Sequence, residues 1–307
     1  MNQPTLFPFQ YEDLIRRALQ EDLGIAGDLT TNSLISPEQT AEAKIISREE
    51  GRIAGLEIAL TAFKLLDPGL TYILHHQDGD DVPANKPIVT IQGRARALLS
   101  AERTALNFLG RLSGIATATR TIVKTIEGYP TKIVCTRKTT PGLRILEKYA
   151  VRVGGGFNHR FALTDGILIK DNHKKLVGSL SEAIREIKKS VGHMVKIEVE
   201  VETLEELEEV LKRHCEERQR LPRHCEEARS ADVAISPLQI HAILLDNMTP
   251  LQLKEAVAMA KGKVLLEASG NITLNNAREI ASTGVDIISI GSLTHSSKSM
   301  DFSLEIT

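Results

Sequence analysis

The run A-I-L-L-D-N-M-T-P-L-Q-L-K-E-A-V-A-M-A-K-G-K-V-L-L-E-A-S-G-N-I-T-L-N-N-A-R-E-I-A-S-T-G-V-D-I-I-S-I-G, from Ala242 to Gly291, alternates short apolar segments with longer amphipathic ones. Ala242 to Asp246, Lys263 to Glu267 and Val285 to Gly291 are too short for helices and rich in branched side chains, so they read as strands. Pro250 to Lys261 and Leu274 to Thr283 separate them and read as helices. The same rhythm extends upstream. Lys132 to Thr136, Gly166 to Lys170 and Val195 to Val201 are further strand candidates, with helices expected over Leu180 to Ser190 and Thr203 to Lys212. Alternating βα units imply a parallel sheet, and about six of them without a G-x-G-x-x-G at the first turn favour a barrel over a dinucleotide-binding sheet. The expected fold is α/β, an incomplete parallel βα barrel of about six strands with a smaller N-terminal α+β domain.

The smaller domain is legible as a mixture. Tyr11 to Glu21 has the pattern of an amphipathic helix, and D-L-T-T-N-S (Asp28 to Ser33) interrupts it with turn and capping residues. Ala41 to Ser47, Arg52 to Ala54, Thr71 to His76 and Pro87 to Gln92 read as strands, Leu56 to Leu66 and Leu98 to Arg111 as helices. This layer is expected to end near Gly114, giving an N-terminal domain over 1–114, a barrel domain over 115–292 and a terminal segment over 293–307 that packs back on the first. Residues 213–236 break the rhythm and repeat R-H-C-E-E imperfectly, at Arg213 and again at Arg223. Paired His and Cys suit zinc, but the spacing matches no zinc motif. The segment resembles the translated palindromic elements of some bacterial genomes. An insertion between helix and strand falls on the face of a barrel opposite its catalytic mouth.

Composition narrows the function. The 307 residues are 42% hydrophobic and 25% charged, as in soluble globular proteins. No apolar run approaches the roughly 20 residues a bilayer span requires, and the first residues lack a basic-then-apolar leader. Three cysteines are few and odd in number, which points to a reducing compartment and a cytoplasmic location. The net charge is -2, Trp is absent and aromatics make up 4%, a poor match to nucleic-acid binding. Cations concentrate locally instead, in T-R-K-T-T-P-G-L-R (Thr136 to Arg144), G-G-G-F-N-H-R (Gly154 to Arg160) and L-I-K-D-N-H (Leu168 to His173). A small polyanionic ligand fits that distribution.

In βα barrels the chemistry sits at the C-terminal ends of the strands. Arg137 and Lys138 follow the first strand, Lys170 ends the second, and Glu200 lies near the end of the third. Asp246 ends the fourth, Ser269 and Gly270 follow the fifth, and Gly291 and Ser292 follow the sixth. Gly154 to Gly156 offers unobstructed backbone N–H groups, which suits either an anion nest or a tight turn. Asn158, His159 and Arg160 adjoin it, and the guanidinium fork matches a carboxylate. Ser269-Gly270-Asn271 before a helix, with the Ile290-Gly291-Ser292 turn, has the form of a barrel phosphate site. Glu200 and Asp246 suit a general acid/base pair, ligands for a hard cation, or acceptors for ribose hydroxyls. Cys135, inside the first strand, reads as a small buried side chain.

T-R-K-T-T-P-G-L-R, G-G-G-F-N-H-R, L-I-K-D-N-H, E-V-E-V, L-L-D-N-M, E-A-S-G-N-I and I-S-I-G-S-L-T-H-S together resemble the quinolinate phosphoribosyltransferase family. E-D-L-G-I-A-G-D-L-T-T and A-E-R-T-A-L-N-F-L-G-R-L-S-G-I-A-T extend the resemblance to nearly the whole chain apart from residues 213–236. It implies transfer of phosphoribosyl from phosphoribosyl pyrophosphate to quinolinate with decarboxylation, giving nicotinate mononucleotide, with Mg2+ as cofactor. On that resemblance Arg137, Lys138, His159, Arg160 and Lys170 contact the carboxylates of quinolinate or the diphosphate. Arg103 reaches the active site of a neighbouring subunit in a homodimer. Glu200 and Asp246 bind ribose hydroxyls and magnesium, and Ser269, Gly270, Asn271, Gly291 and Ser292 hold the 5'-phosphate. Thr136 and Ile290 complete the substrate-binding set, and Lys138, Glu200 and Asp246 are the catalytic candidates. Competing readings are a related transferase with another acceptor such as nicotinate, and a non-catalytic copy disabled by its insertion.

Overall fold

The computed structural model describes residues 5–192, 194–219, 240–260 and 262–307. The chain forms two compact units, one from Met1–Lys124, Lys138–Asn158 and Gly291–Thr307, the other from Thr125–Arg137 and His159–Ile290. Chain order begins with α1 (Glu12–Leu23), α2 (Leu29–Leu34), β1 (Thr40–Ser47), β2 (Gly51–Arg52), α3 (Leu56–Leu66), β3 (Thr71–Leu74), β4 (Asp81–Val82), β5 (Lys86–Arg94) and α4 (Ala95–Thr125). The segment read as a break after α1 is itself a short helix: the Asp28 carboxylate accepts the Thr31 N–H at 2.9 Å and so caps α2. β1 pairs antiparallel with β5, and β5 with β3. Ala43, Ile45 and Ser47 of β1 are buried in alternation, as a strand with one covered face requires.

Helix α4 starts earlier and ends later than the segment Leu98 to Arg111, running through Gly114 to a length of 31 residues. Gly110 and Gly114, which suggest a helix end in the sequence, lie one turn apart on its buried face. A Cβ on Gly114 would stand 2.0 Å from the Lys298 carbonyl oxygen, and one on Gly110 would stand 2.6 Å from that of Met300. The Met300 N–H donates to the Gly110 carbonyl at 3.0 Å. These glycines therefore let a second strand of chain cross the helix at backbone contact rather than stop it.

The remaining elements are β6 (Lys132–Val134), α5 (Arg144–Val153), β7 (Ile167–Ile169), α6 (Asp171–Val177), α7 (Leu180–Ser190), β8 (Ile197–Val201), α8 (Leu204–Gln219), β9 (Ile240–Asp246), α9 (Pro250–Ala260), β10 (Leu265–Ser269), α10 (Ala277–Ala281), β11 (Ile287–Ser289), α11 (Ser292–His295) and β12 (Phe302–Ile306). β6 to β11 form one six-stranded sheet in the order β6-β11-β10-β9-β8-β7, with every pairing parallel. β6 and β7 are the two ends of that order, so the barrel is incomplete, as the βα rhythm predicts. β12 pairs antiparallel with β1, from Ala43 opposite Ile306 to Ser47 opposite Phe302.

Helix α5 has no counterpart in the sequence reading. Leu146, Ala150, Val151 and Val153 are buried along it, but so are Glu147 and Lys148, which disguise the apolar stripe. Its C-terminus explains the triple glycine. Gly154, Gly155 and Gly156 donate their N–H groups to Ala150, Arg152 and Val151 carbonyls at 2.9, 3.0 and 3.0 Å. Gly155 has φ +92°, and a Cβ on Gly154 would lie 2.6 Å from the Ala116 carbonyl oxygen of α4. Of the two uses open to this run, it is a helix terminus against α4, and its N–H groups are already engaged. The imperfect repeat falls mainly outside the described residues. Within them, His214 lies on α8, which continues to Gln219, and its Nε2 donates to the Lys263 carbonyl at 3.1 Å.

Candidate active site

In the barrel unit, β8 carries Ile197, Val199 and Val201 on one face and Glu198 and Glu200 on the other, and all five are buried. A strand alternating in this way sends two carboxylates to the same side of the sheet. β10 contributes a third, Glu267, only 2% exposed. His159 lies against them, with Nε2 at 2.9 Å from Glu198 Oε2 and 3.7 Å from Glu267 Oε2. The Arg160 backbone N–H meets His159 Nδ1 at 2.8 Å. A backbone N–H can only donate, so Nδ1 is the unprotonated nitrogen and Nε2 carries the hydrogen that Glu198 accepts. Burial, followed by the neighbouring Glu198 charge, pushes the Glu267 carboxyl up to about 7, with His159 opposing.

Arg160 donates through Nη1 to the Gly166 carbonyl at 2.7 Å. Its pKa is lowered first by burial and then by the charge of Arg137, which follows β6. The Arg137 Nε is buried and has no hydrogen-bond partner among the described residues. Two guanidiniums held within each other's field are unfavourable unless an anion joins them. Thr136 precedes this pair, half-buried. Lys170 follows β7 at the start of α6, half-exposed, with Nζ at 3.5 Å from Glu200 Oε2. The neighbouring Lys174 donates to the Glu200 carbonyl at 3.1 Å and to Glu206 at 2.9 Å, which ties α6 to the end of β8.

Asp246 ends β9 directly opposite Ser269 of β10. Since Glu200 pairs with Leu244, Asp246 lies two residues further along the adjacent strand. Asn247 donates to the Asp246 carboxylate at 2.8 Å and accepts from Asn271 at 3.1 Å, while its N–H reaches the Ser269 carbonyl at 2.8 Å. Asn247 and Asn271 take positive φ, 54° and 51°, and Gly270 takes φ +94° with the Asn247 amide where a Cβ would be. This chain of amides gives Ser269-Gly270-Asn271 a set shape. The helix beyond it departs from expectation: α10 covers only Ala277–Ala281, because Asn276 first closes a turn through the Thr273 N–H at 2.8 Å. Backbone and side-chain groups of the turn, more than a helix dipole, are what it offers an anion. The Ile290 N–H donates to the Val134 carbonyl at 2.9 Å, and its side chain is buried.

The other unit holds the remaining candidates. Lys138 is exposed, its carbonyl accepting from the Thr294 hydroxyl at 2.7 Å. A Cβ on Gly291 would come within 2.9 Å of the Lys138 side chain, and Ser292 opens α11 beside it. Arg103 projects from α4 with its side chain 65% exposed, at the edge of a cavity of about 360 Å³ shared with Ala18, Asn107, Phe108 and Leu143.

Residues 28–113 match the N-terminal domain of quinolinate phosphoribosyl transferase and residues 115–305 match its C-terminal domain. The chain belongs to the quinolinate phosphoribosyltransferase family. It is 44% identical over 298 residues to the probable nicotinate-nucleotide pyrophosphorylase [carboxylating] of Bacillus subtilis, covering 97% of this chain and 94% of that one. It is 40% identical to the nicotinate-nucleotide pyrophosphorylase [carboxylating] of Mycobacterium leprae, covering 96% of each. The crystal structure of NadC from Streptococcus pyogenes superimposes with a TM-score of 0.88 at 37% identity, covering 99% of both chains. Within this family frame, Glu198 shares the strand face of Glu200 in the sequence pattern, and Glu267 is the residue the sequence reading passed over. Its signal was a carboxylate two positions before Ser269, where a strand repeats its facing.

Proposed function

We propose that this protein is a carboxylating nicotinate-nucleotide pyrophosphorylase, taking quinolinate and phosphoribosyl pyrophosphate to nicotinate mononucleotide, pyrophosphate and carbon dioxide. The observation that carries the substrate assignment is Arg160 standing in the charge field of Arg137, whose buried Nε has no hydrogen-bond partner among the described residues. Two guanidinium forks suit a dicarboxylate better than the single carboxylate of nicotinate. The ring nitrogen of quinolinate attacks C1 of the ribose as the pyrophosphate oxygen leaves with its bonding electrons. Glu200 and Asp246, oxygen donors on adjacent strands, face the ribose hydroxyls and stabilise positive charge developing on the sugar. Those two carboxylates do not form a closed cage, but they fit an ion that takes its remaining ligands from substrate phosphates. They would hold a magnesium ion with those phosphate oxygens, and when bound it neutralises charge on the departing pyrophosphate. Lys138 adds a cation for the same group, and Ser269, Gly270, Asn271, Gly291 and Ser292 hold the 5'-phosphate.

The quaternised ring nitrogen then accepts the electrons left by the adjacent carboxylate as carbon dioxide departs, and the ring carbon takes a proton. No side-chain nucleophile is needed, and Cys135, a buried thiol outside any disulfide among the described residues, suits a reducing cytoplasm. The test is release of labelled carbon dioxide from carboxyl-labelled quinolinate. Release that requires both phosphoribosyl pyrophosphate and magnesium is expected. A folded protein that binds quinolinate yet releases nothing would overturn the assignment, and turnover of nicotinate in its place would identify the other acceptor.

A further inference from the structure

Arg111 of α4 holds none of the ligand positions assigned above, yet its side chain joins two segments of chain that do. Its Nε and Nη2 donate to Glu147 Oε1 at 3.1 and 2.8 Å, its Nη1 donates to the Ser297 carbonyl at 2.8 Å, and Nη2 also reaches the Thr294 carbonyl. Glu147, on α5 and wholly buried, extends the contact to the loop after β6: its Oε1 accepts the Thr140 hydroxyl at 2.8 Å and its Oε2 the Thr140 N–H at 3.1 Å. The circuit closes through Thr294, also wholly buried, whose hydroxyl lies 2.7 Å from the Lys138 carbonyl and 3.1 Å from that of Gly291. With a single hydrogen, that hydroxyl donates mainly along the shorter contact. All of these residues belong to one compact unit.

Stability alone is a poor account of this pair. Taking a carboxylate and a guanidinium out of water offsets much of their attraction, so a buried ion pair contributes little over apolar side chains of similar volume. Geometry is what it supplies: the guanidinium presents its donors in a rigid planar fork, here with a carboxylate on one edge and two carbonyls on the other. We infer that Arg111 is a positioning residue for phosphoribosyl pyrophosphate, holding the loop that bears Lys138 and the turn that bears Gly291 and Ser292 in one fixed relation through Glu147 and Thr294. The kinetic part rests on the proposed function, which gives Lys138 to the departing pyrophosphate and Gly291 and Ser292 to the 5'-phosphate, two ends of one substrate. A site that must meet both ends of a flexible polyanion loses affinity when its two segments drift, because their order must then be assembled on binding. Arg137 and Arg160, assigned to quinolinate, belong to the other unit and take no part in the circuit.

Arg111→Lys keeps the charge without the fork, and Glu147→Gln turns an amide NH2 toward one of its donors, so either variant opens the circuit. Leu60→Ala, on the buried face of α3, is a matched loss of stability away from it. Hydrogen exchange of the substrate-free protein tests the clamp without reference to any substrate. Relative to β1 and β5 of the same unit, amides of residues 138–143 and 292–298 should exchange ~10-fold faster or more in Arg111→Lys but not in Leu60→Ala. Unchanged relative exchange in both segments overturns the clamp whatever the enzyme acts on. In steady-state kinetics Arg111→Lys and Glu147→Gln should raise KM for phosphoribosyl pyrophosphate by ~10-fold or more, with a smaller change in kcat and KM for quinolinate within about twofold. Leu60→Ala should lower thermal stability and move neither constant. Equal rises in both constants, or the same selective rise in Leu60→Ala, would reduce Arg111 to a structural ion pair and overturn the inference. A parent protein that turns over no quinolinate fails the proposed function instead, and the exchange rates then decide the clamp alone.

Discussion

At the scale of single residues, the site contrasts groups that meet charge in the ground state with groups that meet it as it develops. Arg160 stands in the charge field of Arg137, whose buried Nε has no partner among the described residues, so a bound dicarboxylate relieves an existing electrostatic cost. Arg137→Ala should therefore act on binding, raising KM for quinolinate by ~10- to 100-fold with kcat changed far less. Glu200 is 8% exposed at a strand end beside Lys170, where it suits charge on the ribose that exists only as the bond to pyrophosphate breaks. Glu200→Ala should lower kcat by ~100-fold or more with a modest change in KM. Steady-state kinetics in both substrates checks the pair, and exchanged effects would reverse these roles. Arg137 and Glu200 stand out in the sequence because strand ends are where a barrel carries chemistry. Glu267 does not, because a carboxylate inside a strand looks like an outward-facing residue until the barrel closes around it.

At the scale of elements, glycines decide more than their local conformation. The stripe Gly110 and Gly114 on α4 permits contact with the carbonyls of Met300 and Lys298. In Gly114→Ala the new methyl would meet a backbone oxygen, which cannot rotate away as a side chain can. The clash should cost about 1–3 kcal/mol, outweighing the gain of roughly 1 kcal/mol from better helix propensity. Gly192 has open space around its Cβ position and no positive φ, so Gly192→Ala is the matching control. Thermal unfolding should fall by a few degrees in the first and stay unchanged in the second. The same glycines show where the sequence was hard to read. Helices α3 and α7 were legible to the residue because their apolar periodicity is uninterrupted. α4 was cut short because close-approach glycines look like helix ends, and α5 was hidden because Glu147 and Lys148 occupy buried positions. Glu147 is compensated by Arg111 at 2.8 Å and by Thr140, contacts that only the folded unit supplies.

At the scale of the molecule, the candidate residues divide between the two compact units, with the arginine pair, Glu200, Asp246 and the Ser269-Gly270-Asn271 turn in one and Lys138, Gly291, Ser292 and Arg103 in the other. The βα rhythm makes the barrel legible, since it depends on periodicity alone. Arg103 is different in kind: it is 65% exposed on α4, and its ion-pair contact, with Glu102 at 3.9 Å, is weak and lies on the same helix. Among the described residues this long, exposed guanidinium has no firm partner and is poised to meet an anion, and in the homodimer that the family resemblance implies that anion would be one bound to the second copy. A two-fold interface is self-complementary, so each subunit would lend its Arg103 to the other. This gives a prediction that a single chain cannot mimic. Arg103→Ala and Glu200→Ala should each be nearly inactive alone. When the two are dissociated together and allowed to reassociate at random, half of the dimers are mixed, and each mixed dimer contains one site with an intact Glu200 and an intact Arg103. Activity should return to about a quarter of the parent rate. If Arg103 instead served its own chain, every site would still lack one of the two groups, and mixing would restore nothing.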